Sequence, residues 1–377
     1  MGIKNGIFGL QDVYELQIDE EWTKKSEVFL DSDTSKIHTL NGWNYGYWLG
    51  GNGLNTFRRT DFTNDSDSPV NRISIPLTTI SSSYLRPLST FGSKTKGYFV
   101  GPSSMKSNWA DSTLSGNMIS FSYANDTAFQ IPGVTSIIQS NYGASAFTDS
   151  YAYTVSGSKI SKFDFANDNT ASILAYEYPS AQRQNAAVTG NQSYGYIGGG
   201  YSPNTSSVTR IDYSSDTSAP APKGNLTVAR SAFGGATGNA NYGWWQGASP
   251  NNTGWTGSGS TVDRLDYAND TANASPRGNL IYNASMEPSD GACGNSVASY
   301  LGGYHSANKF QKISYENDTV TATALPASPA QIFTGCFSAV QYGLPIFSVK
   351  ALGYGPQLVG HATGYFAGGM LGPQNQQ

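Results

Sequence analysis

The chain has 377 residues, a net charge of −4 and 13% charged residues, about half the usual share. It has 22 Lys and Arg with no basic run, no apolar stretch near the ~18 residues a membrane span needs, and no apolar segment behind Met1-Gly2-Ile3-Lys4-Asn5-Gly6. Nucleic-acid binding, membrane insertion and a secretory signal are therefore not expected, and 43 Gly and 24 Tyr point instead to short strands joined by tight turns.

Residues 1–27 stand apart. They carry nine charges, at Lys4, Asp12, Glu15, Asp19, Glu20, Glu21, Lys24, Lys25 and Glu27. Within them Tyr14, Leu16 and Ile18 alternate with Glu15, Gln17 and Asp19, the period of an edge strand. Gly2 invites acylation, but Gly6 stands where that signal needs Ser or Thr. A further strand is expected between about 27 and 40.

From residue 45 onward one unit repeats. An aromatic strand ending in glycine occupies 45–51, 97–101, 151–155, 194–199, 242–247 and 300–303, with a late copy at 364–369. A period-2 segment follows: in Val208-Thr209-Arg210-Ile211-Asp212-Tyr213, alternate residues face opposite ways. An aromatic and a polar turn close each unit, as in Tyr267-Ala268-Asn269-Asp270-Thr271. The aromatics at 62, 123, 165, 213, 267 and 315 recur about every 51 residues. Four strands per unit at that period predict an all-β propeller. Six units are explicit. The remainder, 326–377, is one period long, which favours seven blades over six, the last completed by the C-terminal segment and a strand from 27–40. The expected division is an arm over 1–27 and a propeller over 28–377.

Catalytic constellations are missing. His38, His305 and His361 lack metal-ligand spacing, and no nucleophile elbow or phosphate loop occurs. Asp61, Asp164, Asp212 and Asp266 recur at one position, which reads as turn caps and as partners for Arg210 and Arg264 rather than as catalytic carboxylates. The turns offer too few carboxylates for Ca²⁺, and their sequons reflect turn composition. No cofactor, metal or catalytic residue is expected. Cys293 and Cys336 read as two buried free thiols, with a single bridge as the alternative.

Two long polar stretches after the second strand of a unit, 101–111 and 247–257, each place a Trp where no strand needs one. Trp109 beside Asn108 and Trp255 near Asn252 would lie on the same side of a propeller. An aromatic plane flanked by amides suits a sugar ring. Packing over the parent blade, or contact with a neighbouring subunit, is the plainer reading.

The glycine-ended strands followed by an aromatic resemble kelch-type blades, without that family's Trp on the fourth strand. The segments 194–200, 264–271 and 277–280, with the opening Phe8-Gly9-Leu10-Gln11-Asp12-Val13-Tyr14, more closely resemble virion proteins of marine tailed phages of the cyanophage type. This resemblance covers nearly the whole chain. It implies a non-enzymatic structural or tail-fibre-like part of a particle, made in the host cytoplasm and present in multiple copies. Its partners would be tail, fibre or capsid subunits, and its arm would dock through Phe8, Tyr14, Leu16, Ile18 and Trp22. A dedicated glycan receptor-binding tail protein is the alternative reading, with host surface glycan as ligand. A polysaccharide-degrading propeller is the remote one.

Overall fold

In the computed structural model, the described residues are 28–30, 37–39 and most of 45–338; outside them lie 1–27, 31–36, 40–44, 51–55, 75–88, 102–115, 124, 137–142, 169, 171, 180–184, 202, 232, 249–258, 285–290, 303–308, 327–332 and 339–377. The chain divides into two compact units, one of residues 1–41 with 345–377 and one spanning Gly42–Leu344. In the first unit, Val28–Leu30 and Ile37–Thr39 pair antiparallel as a two-stranded sheet.

The second unit contains six four-stranded antiparallel sheets. The strands of each blade are named A to D in spatial order. Blade 1 is Phe333–Phe337, Tyr45–Gly50, Thr56–Asp61 and Val70–Ser74. Blade 2 is Ser89–Gly92, Lys96–Gly101, Gly116–Ser122 and Thr127–Ser136. Blade 3 is Gly143–Phe147, Tyr151–Ser156, Lys159–Asp164 and Ile173–Glu177. Blade 4 is Ala187–Gly190, Tyr194–Gly198, Val208–Asp212 and Ala221–Lys223. Blade 5 is Gly235–Gly238, Tyr242–Gln246, Val262–Asp266 and Ser275–Pro276. Blade 6 is Ala292–Gly294, Ala298–Gly302, Phe310–Ser314 and Thr323–Leu325.

Each A strand contacts the A strands of the blades on both sides, and the sixth meets the first, so the blades form a ring. The fold is a six-bladed β-propeller. The expectation of seven blades is thereby corrected. The C-terminal strand Phe333–Phe337 does not begin a seventh blade; it pairs with Tyr45–Gly50 and supplies the missing inner strand of blade 1. The strand expected from 27–40 pairs within its own hairpin and joins no blade. The late copy at 364–369, and the boundary placed at residue 27, lie outside the described residues. Closing the ring with a strand from the far end of the chain removes two free sheet edges at once.

Burial falls outward across each blade, as stacked sheets require. In blade 4 strand A is wholly buried, strand B nearly so, strand C alternates and strand D is mostly exposed. Both faces of the inner strands meet neighbouring blades, so these strands lose the polar/apolar alternation that marks strand C. Cys293 and Cys336 are buried thiols that form no disulfide, as expected for thiols in inner strands.

Two glycine motifs serve close approach between blades. Gly199 and Gly247, at the ends of B strands, both adopt φ +68°, and a Cβ there would stand 2.5 Å from the Arg230 carbonyl oxygen and 2.3 Å from that of Ala284. These glycine strand ends thus let the D–A connection to the next blade cross against the backbone. Gly224 and Gly278, after strand D, donate to the Asp270 and Asp318 carbonyls in the next blade. A Cβ at Gly278 would lie 1.7 Å from the Val320 carbonyl oxygen. Gly278→Ala is therefore expected to force blades 5 and 6 apart and to cost about 3 kcal/mol, the upper end for overpacking. Chemical denaturation of the variant measures it, and a loss below about 0.5 kcal/mol would show that the junction yields freely.

Candidate functional site

Local chemistry builds the end of the propeller that carries the A–B and C–D turns. Asp164, Asp212 and Asp266 each cap a short 3₁₀ turn by accepting from the backbone N–H two residues on. Asp61 does the same for Thr63 at 2.8 Å. The Ser214 hydroxyl and backbone N–H hold the Asp212 carboxyl below its ordinary range. In the A–B turns Asn191, Asn239 and Asn295 each accept from two backbone N–H groups, two and three residues on. Ser93 and Thr148 do the same with hydroxyls. The capping role expected for Asp61, Asp164, Asp212 and Asp266 is thus present.

The ion-pair role is not. Arg210 and Arg264 pair with Asp270 and Asp318 of the following blade, at 2.7 and 3.0 Å, rather than with Asp212 or Asp266. The correction generalises around the ring. The aspartate three residues after the aromatic of every C–D turn reaches back to the preceding blade, where it accepts from the central strand-B aromatic and from a cation. Asp65 accepts from Tyr300 and Lys312, Asp126 from Tyr47 and Arg59, and Asp168 from Tyr98 and Lys96. Asp216 accepts from Tyr153 and Lys162, Asp270 from Tyr196 and Arg210, and Asp318 from the Trp244 indole and Arg264. Arg72, Lys223 and Arg277 add a second cation at three of these junctions. Burial draws the Asp270 carboxyl upward, but Lys223, Tyr196 and Arg210 outweigh it and hold the group below the usual carboxylate range.

The same aromatics stack across the junctions. Tyr153 lies on Tyr213 at 4.4 Å, Tyr196 on Tyr267 at 4.6 Å, Trp244 on Tyr315 at 3.8 Å and Tyr300 on Phe62 at 4.6 Å. Tyr47 on Tyr123 and Tyr98 on Phe165 complete the set. The Asp65 and Phe62 contacts with blade 6 are the same device as the other five, so six signatures close on themselves and leave no junction for a seventh blade.

Beneath each stack, strand A decides whether the next tyrosine finds a partner. Opposite the latch aromatic stand Thr189 and Thr237 in blades 4 and 5. Thr189 lies 3.2 Å from the Tyr267 hydroxyl, and Thr237 accepts from Tyr315 at 2.9 Å. The matching residues in blades 3 and 1 are Ala146 and Phe337. Among the described residues, the hydroxyls of Tyr213 and Tyr123 in the blades that follow are buried without a partner. Tyr213→Phe is accordingly expected to stabilise the protein by about 1 kcal/mol, because it deletes an unpaid desolvation. Thermal melting measures this, and a loss of stability would reveal a partner for that hydroxyl.

One junction carries a buried ion pair. Arg230, on the D–A connection into blade 5, is 2% exposed, and Asp263 on strand C is 0% exposed. They meet at 2.7 Å. Arg230 also donates to the Gly247 and Thr261 carbonyls at 2.9 and 3.0 Å, so it grips both ends of the stretch joining strands B and C. Asp263 accepts from the Thr227 hydroxyl and backbone N–H as well.

The residues expected to make contacts, Phe8, Tyr14, Leu16, Ile18, Trp22, Asn108, Trp109, Asn252 and Trp255, lie outside the described residues, as do His305 and His361. Among the described residues no group of three or more His, Cys, Asp or Glu side chains is placed to hold a metal ion. No helix among them is long and apolar enough to cross a membrane.

No protein-family model matches the chain, and no curated protein matches its sequence. Among solved structures, the crystal structure of a nidogen/laminin complex contains a similar chain, with a TM-score of 0.51 and 8% identity over 80% of this chain and 99% of that one. The likeness is one of fold. At that identity it supports the propeller and carries no activity across.

Proposed function

We propose that this protein is a non-enzymatic display component of a tailed-phage particle. Residues 1–27 would dock it to a tail, fibre or capsid subunit, and the propeller would present a rigid surface for subunit contacts or host adhesion. The observation that carries the reading is the repeated latch. A carboxylate, an aromatic and a cation tie every blade to the next, and such a ring holds its connecting loops on a stiff frame. The resemblance of the repeat and of the opening segment to cyanophage virion proteins supplies the setting. Gold-tagged antibody against residues 40–370 is expected to label intact particles, and deletion of residues 1–27 is expected to abolish incorporation while the propeller still folds. Unlabelled particles, with the protein free in the lysate, would refute the reading.

A glycan receptor-binding role is the second reading. The Arg230 grip on both ends of the stretch that bears Asn252 and Trp255 favours it, because a fixed base lowers the ordering cost of binding. Trp255→Ala or Trp109→Ala is then expected to abolish host adsorption with an unchanged melting temperature. Full adsorption by both variants would remove this reading.

A further inference from the structure

Blade 2 breaks the repeat in two linked places. Five blades set a cation on strand C opposite the latch aromatic: Arg59, Lys162, Arg210, Arg264 and Lys312. Blade 2 has Ser120 there, opposite Tyr98. Its cation comes instead from Lys96 at the start of strand B, where blades 1, 3, 4 and 5 place Tyr45, Tyr151, Tyr194 and Tyr242. In those four blades the strand-C cation lies over that tyrosine, 3.8 to 4.4 Å from the ring centroid. The exchange keeps the latch, since Lys96 still reaches Asp168, but removes the aromatic cover.

An open, shallow depression of about 330 Å³ lies at this junction, between the A–B turns of blades 2 and 3 and the C–D turn of blade 3. That size is at the lower end for small-molecule sites. One wall is the half-buried Phe165 ring, held by stacking on Tyr98 at 5.4 Å. Lys94, Asp149 and Ser150 also line it, and the Ser150 hydroxyl donates to Asp149 at 3.1 Å. Lys94 and Asp149 are loosely paired at 3.4 Å with 42% of each side chain exposed, so exchanging that pair for ligand hydroxyls costs little.

We propose that this junction is a binding site for a single saccharide ring. The C–H face of a pyranose would lie on Phe165, and its hydroxyls would donate to Asp149 and to the Ser150 oxygen and accept from Lys94. The site lies among the A–B and C–D turns, whereas Trp109 and Trp255 belong in sequence to B–C connections, and it stands independently of the particle reading.

Saturation-transfer NMR on the intact protein, with glucose, galactose, mannose and N-acetylglucosamine offered singly, tests it. At least one sugar is expected to receive saturation. Asp149→Ala should weaken that sugar by about tenfold, the value of a hydrogen bond to a charged group. Ala166→Trp, on the pocket rim, should abolish transfer, whereas Trp109→Ala and Trp255→Ala should leave it unchanged. Should Ala166→Trp lower the melting temperature, Asp149→Ala alone decides. Silence from all four sugars, or transfer that survives Asp149→Ala and is lost in the Trp variants, would overturn the proposal.

Discussion

Above pH 10 the propeller is expected to unfold cooperatively within one to two pH units. Nine tyrosines, Tyr47, Tyr98, Tyr123, Tyr153, Tyr196, Tyr213, Tyr267, Tyr300 and Tyr315, have phenols pushed well above their ordinary value, first of all by burial. Five of them also donate to a latch aspartate, so a phenolate there would confront a carboxylate. In the unfolded chain the same groups ionise near pH 10. Below pH 10 both states are protonated and the stabilisation is complete. As pH rises past 10 the unfolded chain releases protons that the folded chain retains, and stability falls by about 1.4 kcal/mol per pH unit for each tyrosine. Four of them, Tyr123, Tyr213, Tyr267 and Tyr315, whose phenols are raised chiefly by burial, together give about 5 kcal/mol per unit. A domain stability of roughly 5–15 kcal/mol does not survive that slope for long. Circular dichroism and tyrosinate absorbance recorded together should change in one step. Gradual ionisation near pH 10 with the dichroism intact would show that the phenols are open to solvent.

Arg230→Met should cost about 3–5 kcal/mol, the range for stranding one member of a buried ion pair. The substitution leaves Asp263 wholly buried with only Thr227 to accept from, and it strips the Gly247 carbonyl of its side-chain donor, while the Thr261 carbonyl keeps the Gly247 N–H. A fall in melting temperature of at least about 6 °C is expected for a propeller of this size. Arg230→Met combined with Asp263→Leu should recover much of the loss, because an apolar replacement removes the orphaned charge. The recovery is incomplete, since the Thr227 N–H then lacks its acceptor. A single variant within about 1 kcal/mol of the parent would mean that water reaches the pair.

The strand-C alternation, the aromatic turn and the capping aspartates were all legible, because each depends on residues within about four positions of one another. The latch aspartates were in plain view in the same repeat, but their partners lie roughly a whole period away. The period shows that Asp270 and Asp318 are equivalent; it does not show that they serve the preceding blade. The Lys96 and Ser120 exchange becomes visible only when strand B is set against strand C in register. Arg230 carries no local signal, since it lies in an irregular connection and meets Asp263 through the packing of one blade.

Six signatures in the sequence determined the propeller class and the capping aspartates of the C–D turns. Only the tertiary structure decided the number of blades. Counting leftover length suggested a seventh, but Phe333–Phe337 lies opposite Tyr45–Gly50, nearly the whole propeller away in sequence. Strand pairing across that distance is set by which edge remains open when the ring closes, and an open edge is a property of the assembled ring, with no local pattern to announce it.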